Sequence, residues 1–258
     1  MECRLCGSGK TSEFAAGVTR CTTCDAIFRD SPQAPSKLQE YFEDGYYKRR
    51  SNPLRMKVWE LLARQYMSYL RRKTSMDFAS ALDVGTFHGH LVKMLKDEGI
   101  RARGIEPDRE KVASAVTSGI EQGYFDEDFD PGEQFDLICL NEMLYYLPDG
   151  VAALRHARTM LRDGGHVLIS TANPSSTMIT GGRYTSIENE WVNCFMSKKN
   201  FESLDGFELV DYAPFRGNML HDFQYKSRAY VLLYLAGLKK VNTFDPDGNH
   251  VLVLLKKA

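Results

Sequence analysis

Apolar positions along the chain follow two different rhythms. From about Pro53 to Leu70 they fall at Met56, Trp59, Leu62, Tyr66 and Leu70, at spacings of three and four. That period predicts a long helix with one buried face. From Ala79 onward, short apolar runs alternate with amphipathic segments. SALDVG, ARGIEP, IEQGYF, FDLICLNEML and the end of RDGGHVLISTAN read as strands. HLVKMLKDEG, DREKVASAVTSG and VAALRHARTML read as helices, the first two closed by Gly99 and Gly119. FDLICLNEML is apolar without a break, as in a strand covered on both faces. Strand–helix alternation of this kind predicts an α/β domain built on a doubly wound parallel sheet. FELVDYAP and HVLVLLKK continue it as strands six and seven, paired as an antiparallel hairpin interrupted by an insertion that includes YVLLYLAGL. Ligands of such sheets sit beyond the carboxyl ends of the strands.

The first thirty residues obey neither rhythm. They carry two Cys-x-x-Cys pairs, Cys3/Cys6 and Cys21/Cys24, with Gly7 just behind the first. Four thiolates complete a closed tetrahedral zinc shell, which marks a structural rather than a catalytic metal. So short a segment buries too little surface to fold without one. The remaining cysteines, Cys139 and Cys194, stand apart, and Cys139 lies in an apolar strand as a small buried hydrophobe. Pro32 and Pro35 mark a linker, Ser36 a cap for a short helix over Leu38, Tyr41 and Phe42, and Gly45 its end. The chain thus divides into a zinc ribbon or knuckle (1–30), a helical linker and lid (31–75) and an α/β domain (76–258).

Composition narrows the partners. The 258 residues are 43% hydrophobic and 26% charged with a net charge of -1, so no chain-wide attraction to nucleic acid is expected. No apolar stretch is long enough to span a bilayer and no leader is visible, which gives the expectation of a cytoplasmic protein. The oligomeric state is not legible.

The stretch ALDVGTFHGHL, strand then turn then helix, has the form of a ligand loop. A dinucleotide loop would place glycines where Phe87 and His90 stand, so that reading fails. S-adenosylmethionine (SAM) fits better. Asp83 ends the first strand near a cationic group, Gly85 and Gly89 allow close approach, and Glu106 ends the second strand with two acceptor oxygens for a ribose diol.

On these segments the chain resembles the class I SAM-dependent methyltransferases. ALDVGTFHGH, GIEPD, FDLICLNEMLYYLPD and LRDGGHVLIS match, in order, the family's motifs at strands one, two, four and five. The resemblance implies a Rossmann-like sheet of seven strands, mostly parallel with the last antiparallel. It also implies roles. Asp83, Gly85 and Gly89 would line the methionine end, Glu106 would hold the ribose, Tyr124 and Phe125 would flank the adenine, and Asn141 would face the methionine group; the ring of Phe87 is expected either to pack beside the methionine arm or to close the pocket toward the N-terminal helices. Tyr46, Tyr47 and Arg55 would belong to a lid over the cofactor. The chain departs from the pattern at Phe87, a usual glycine, and at Tyr145-Tyr146, where many relatives have an acid and a histidine. The second departure leaves no clear general base; Tyr146, Tyr145, His88, Glu190 and His221 are candidates. The turn-rich stretch 174–196, with Tyr184 and Trp191, reads as a substrate lid.

With its zinc element, the chain is similar to methyltransferases of sugar, surface-polysaccharide and natural-product pathways. The expected substrate is therefore a small molecule, such as a sugar or nucleotide-linked sugar. Alternatives are a ribosomal RNA methyltransferase and a non-catalytic SAM-binding scaffold.

Overall fold

The structure is a computed structural model that describes residues 1–33, 53–181, 191–217 and 243–258, with isolated positions between them. Tyr46, Tyr47, Tyr184, Glu190 and His221 lie outside the described residues, as does the side chain of Arg55. So do most of the short helix expected after Ser36 and most of the insertion.

Strands β1 (Thr11–Ala15), β2 (Val18–Cys21) and β3 (Ile27–Arg29) form the N-terminal ribbon. Helix α1 (Pro53–Lys73) opens on a proline, whose fixed φ and missing N–H suit the first helical position. It buries Leu62, Tyr66 and Leu70 of the expected stripe together with Val58 and Met67, while Met56 and Trp59 are only partly buried. There follow β4 (Ser80–Val84), α2 (His90–Asp97), β5 (Arg101–Glu106), α3 (Arg109–Ala113), β6 (Ile120–Gln122), β7 (Phe135–Asn141), α4 (Gly150–Thr159) and β8 (Leu161–Ala172). The chain closes with α5 (Thr177–Thr180), β9 (Cys194–Phe195), α6 (Lys198–Glu202), β10 (Phe207–Arg216), β11 (Thr243–Phe244) and β12 (His250–Lys257).

The large sheet has the order β11-β10-β12-β8-β7-β4-β5-β6. Strands β6, β5, β4, β7 and β8 pair in parallel, and β12 runs antiparallel to both β8 and β10. The interrupted hairpin is therefore present. The strand count is corrected from seven to eight, because two-residue β11 pairs with the end of β10. The sheet divides two cores. Leu137, Cys139, Leu252 and Leu254 enter the one that holds α1 and α2. Their neighbours Ile138, Leu140, Val251, Val253 and Leu255 enter the one that holds α4 and α6. Alternate residues of one strand serve opposite faces, which is why these runs are apolar throughout.

Three elements differ from expectation for local reasons. The helix expected to reach Gly119 stops at Ala113. There the Ser114 hydroxyl donates to Glu110 O, and Val116 N turns away to His88 O. The third strand ends at Gln122, so Tyr124 and Phe125 swing out past it. The turn expected at Arg162–Gly165 is instead part of β8, where the register with β7 shifts.

The ribbon is not a free appendage. Its strand β3 pairs with β9 from the segment read as a substrate lid, giving a second sheet, β1-β2-β3-β9.

Candidate active site

Beyond the ends of β4, β5 and β7 lies a cavity of about 590 Å³. Gly85 and Phe87 from the first loop, Glu106 and Pro107 after β5, and Tyr124 and Phe125 after β6 line it. Asn141, Glu142 and Met143 after β7, Tyr146 to Asp149, Trp59 of α1 and His156 of α4 complete the wall.

Gly85 takes φ 69°, a left-handed conformation that glycine adopts without strain, and a Cβ there would touch Met143 at 3.4 Å. Phe87 takes φ 57° and carries the strain that glycine would avoid. Its ring packs on Trp59 at 4.8 Å and on His88 at 4.4 Å between centroids. Its N–H donates to Glu106 Oε2 at 2.8 Å, while Asp108 N–H donates to Oε1 at 3.1 Å. Burial pushes the Glu106 carboxyl up to about 7 against the pull of these two amides. Each carboxyl oxygen keeps a lone pair for a further donor. Asp83 lies beneath the loop and is not a lining residue. Thr86 Oγ1 donates to it at 2.7 Å, and burial raises its carboxyl to about 7. Gly89 is also outside the lining; a side chain there would meet Ile120 Cδ1 at 3.0 Å, so it serves packing against β6.

Asn141 lines the cavity, and among the described residues neither its amide oxygen nor its amide nitrogen has a hydrogen-bond partner, though both are buried. Unpaired buried amides are costly, and a ligand in the cavity would satisfy them. The set of groups therefore suits an adenosine-bearing amino acid: a carboxylate to accept from hydroxyls, an aromatic edge at Tyr124 and Phe125, and an amide without a partner among the described residues.

The base candidates fare unequally. His88 is buried, not exposed, with Nδ1 near Ser114 Oγ at 3.1 Å, and it is not part of the cavity wall. Burial and then Lys111 hold it down to about 4. Tyr146 lines the cavity and Tyr145 packs against it, 4.6 Å between centroids. Sequence reading missed Glu142. Its carboxylate accepts hydrogen bonds from Ser170 Oγ and from Tyr145 OH, and lies 3.4 Å from His250 Nδ1. Burial would raise its pKa, but His250, Ser170 and Tyr145 together hold it below the usual carboxylate range. The signal was in plain view as the acid of ICLNEM, but its partners come from β8 and β12, which no local pattern connects.

At the N-terminus the four thiols converge. The Sγ atoms of Cys3, Cys6, Cys21 and Cys24 all lie within 4.8 Å of one another. The Cys3–Cys24 and Cys6–Cys21 separations are both 3.7 Å. Tetrahedral zinc with bonds of about 2.3 Å requires sulfurs roughly 3.8 Å apart, so the set fits that ion. Arg4, between the first two cysteines, donates to Pro148 O at 3.1 Å and Arg29 O at 2.8 Å. Asn193, next to β9, donates through its side chain to Tyr146 O at 2.6 Å and through its backbone to Tyr145 O at 2.8 Å. Ribbon and β9 together thus hold the turn that walls the cavity after β7.

Residues 48–209 match the methyltransferase-domain family. The chain belongs to it. Its fold is that of the class I SAM-dependent methyltransferases. The N-methyltransferase NodS of Bradyrhizobium japonicum WM9, solved with S-adenosylhomocysteine (SAH), is similar at a TM-score of 0.51 and 17% identity, over 86% of this chain and 97% of that one. Magnesium protoporphyrin IX methyltransferase (ChlM) from Synechocystis PCC 6803, also with SAH, gives 0.58 and 11%, over 87% and 100%. At these identities the likeness is one of fold. The ubiquinone biosynthesis O-methyltransferase of Marinobacter nauticus is 29% identical over 133 residues, 46% of this chain and 56% of its own. The chain spans about half the length of the curated relatives it matches. Among its described residues, no helix is long and apolar enough to cross a membrane.

Proposed function

We propose that the protein transfers the methyl group of SAM to a hydroxyl- or amine-bearing small molecule, such as a sugar or natural-product precursor. The observation that carries this reading is the cavity at the strand ends, with a ribose-competent carboxylate at one side and an unpaired Asn141 amide at the other. SAM supplies an electrophilic methyl carbon on a sulfonium. Glu106 would hold the ribose hydroxyls, Tyr124 and Phe125 would flank the adenine, and Gly85, Phe87 and Asn141 would line the methionine arm. Asp83 would act on that arm only through the loop it braces at Thr86. What the protein must do beyond binding is orient the acceptor in line and exclude water.

The cavity wall favours a neutral or cationic acceptor. Its described lining includes Glu106, Asp126, Glu127, Asp128, Glu142 and Asp149 and neither lysine nor arginine. A phosphate-rich acceptor, whether RNA or a nucleotide-linked sugar, would meet like charge there. A structural zinc ion at Cys3, Cys6, Cys21 and Cys24 belongs to the same reading, supported by the sulfur spacing. The test is transfer of radiolabelled methyl from SAM to a panel of sugars, phenols and amines, with RNA as a comparison. Label in RNA but in no small molecule would overturn the substrate class. SAH binding without turnover on any of them would favour the scaffold alternative.

A further inference from the structure

Glu142 stands in a place that calls for explanation. It follows β7 directly, at the floor of the cavity where an acceptor would approach, and keeps 12% of its side-chain surface exposed. Its backbone is left-handed at φ 55°, a conformation that strains a non-glycine residue and is held here by Glu142 N–H donating to Ser170 O at 2.7 Å. Three side chains from different elements then fix the carboxylate: Ser170 from β8, His250 from β12 and Tyr145 from the turn after β7. Ser170 and His250 both address Oε1, and among the described residues only the Tyr145 hydroxyl addresses Oε2, at 3.2 Å. An ionised carboxylate oxygen accepts two hydrogen bonds, so Oε2 retains one acceptor position.

We infer that Glu142 is the catalytic carboxylate of the methyl transfer, accepting a hydrogen bond and then the proton from the acceptor's O–H or N–H at Oε2, with Ser170 and His250 as its positioning residues. This rests on the methyltransferase reading above. The acceptor's lone pair forms the new bond to the methyl carbon, its O–H or N–H bond breaks toward Glu142, and the carbon–sulfur electron pair remains on sulfur. A carboxylate held below its usual pKa range does not ionise a hydroxyl beforehand. It receives the proton late, once the acceptor atom gains positive charge and becomes the stronger acid. The arrangement thus selects acceptors that carry a proton on the nucleophile, and it supplies the base that Tyr145-Tyr146 do not.

The test needs no acceptor. Sinefungin places an ammonium-bearing carbon where SAM has its methylated sulfonium, whereas SAH is neutral there. Calorimetric titration of the whole chain should show sinefungin binding about tenfold or more tighter than SAH, because a charge-assisted hydrogen bond to Glu142 is available. Glu142→Gln should remove most of that preference while changing SAH affinity less than about threefold. Equal affinities in the wild type would overturn the assignment whether or not the variant folds, as would a preference removed by Asp83→Asn and untouched by Glu142→Gln. Binding of neither ligand by the wild type would overturn the methyltransferase reading itself, and this assignment with it.

Discussion

Phe87 offers a test in which the ordinary order of two substitutions is reversed. Its φ of 57° is left-handed. A residue with a Cβ pays about 1–2 kcal/mol to sit there, and glycine does not. The conformation persists because it turns the Phe87 N–H onto Glu106 Oε2 and lays the ring between Trp59 and His88, with Lys111 Nζ 5.3 Å from the ring centre. Losing the half-buried ring should cost about 2–3 kcal/mol, combining lost apolar burial with the aromatic contacts. Phe87→Ala loses the ring and keeps the strain. Phe87→Gly loses the ring, relieves the strain and gives back about 0.5–1 kcal/mol to the entropy of the unfolded chain. Both variants should be less stable than wild type, and the glycine variant should equal the alanine variant or exceed it by up to about 1 kcal/mol. At an ordinary position glycine would be the worse by a similar amount. Urea unfolding of the three proteins measures this. An alanine variant more stable than the glycine variant by about 0.5 kcal/mol or more would refute the claim that strain is stored at this loop. Titration with SAH on the same samples tests the ring's place in the wall: both variants should bind about three- to tenfold more weakly, and unchanged affinity would make Phe87 a packing residue only.

Further outcomes follow from the same contacts. Asn141→Leu should raise the stability of the ligand-free protein by about 1–2 kcal/mol while weakening SAH binding about tenfold, since the amide has no partner among the described residues; melting curves and calorimetry should move in opposite directions. Asp83 and Glu106 have carboxyl groups raised by burial from 3.8 and 4.5 to about 7 each, so the folded chain holds more protons than the unfolded chain between those values. Their contribution is full below about pH 4 and is lost as pH rises to about 7; Asp83→Asn should flatten the wild-type decline in unfolding free energy by about 2–4 kcal/mol between pH 5 and 8, and an identical slope would refute the burial argument. Chelation of the zinc ion proposed at Cys3, Cys6, Cys21 and Cys24 should expose the four ribbon thiols to a thiol reagent. It should also weaken SAH binding about tenfold, because Arg4 and Asn193 then release the carbonyls of Pro148, Tyr146 and Tyr145; thiol exposure with unchanged affinity would uncouple the ribbon from the cavity.

Much of this was legible along the chain because the signals are local. Strand ends at Glu106 and Asn141, and that of β4 to within one residue of Asp83, can be found from apolar runs alone, and the same runs predict a two-sided sheet. The four cysteines announce their site by spacing. Features made by distant segments were not legible. Pairing of β3 with β9 ties the end of the segment read as a lid into the ribbon sheet, yet CF carries no strand pattern of its own. The partners of Glu142 are set by the sheet order, which brings the start of β12 beside the end of β8. His88, named along the chain as a base candidate, is instead buried, with the ring of Phe87 against it and Ser114 Oγ 3.1 Å from its Nδ1.

The central claim is that the cavity beyond β4, β5 and β7 holds the SAM skeleton with Glu106 on its ribose. Isothermal titration of SAH into the wild type and Glu106→Ala tests it most directly. One SAH per chain should bind the wild type, with affinity about 10- to 100-fold weaker in the variant, the worth of charge-assisted hydrogen bonds to two hydroxyls. A wild type that takes up no SAH at millimolar concentration, or a folded Glu106→Ala that binds it equally well, would contradict the account.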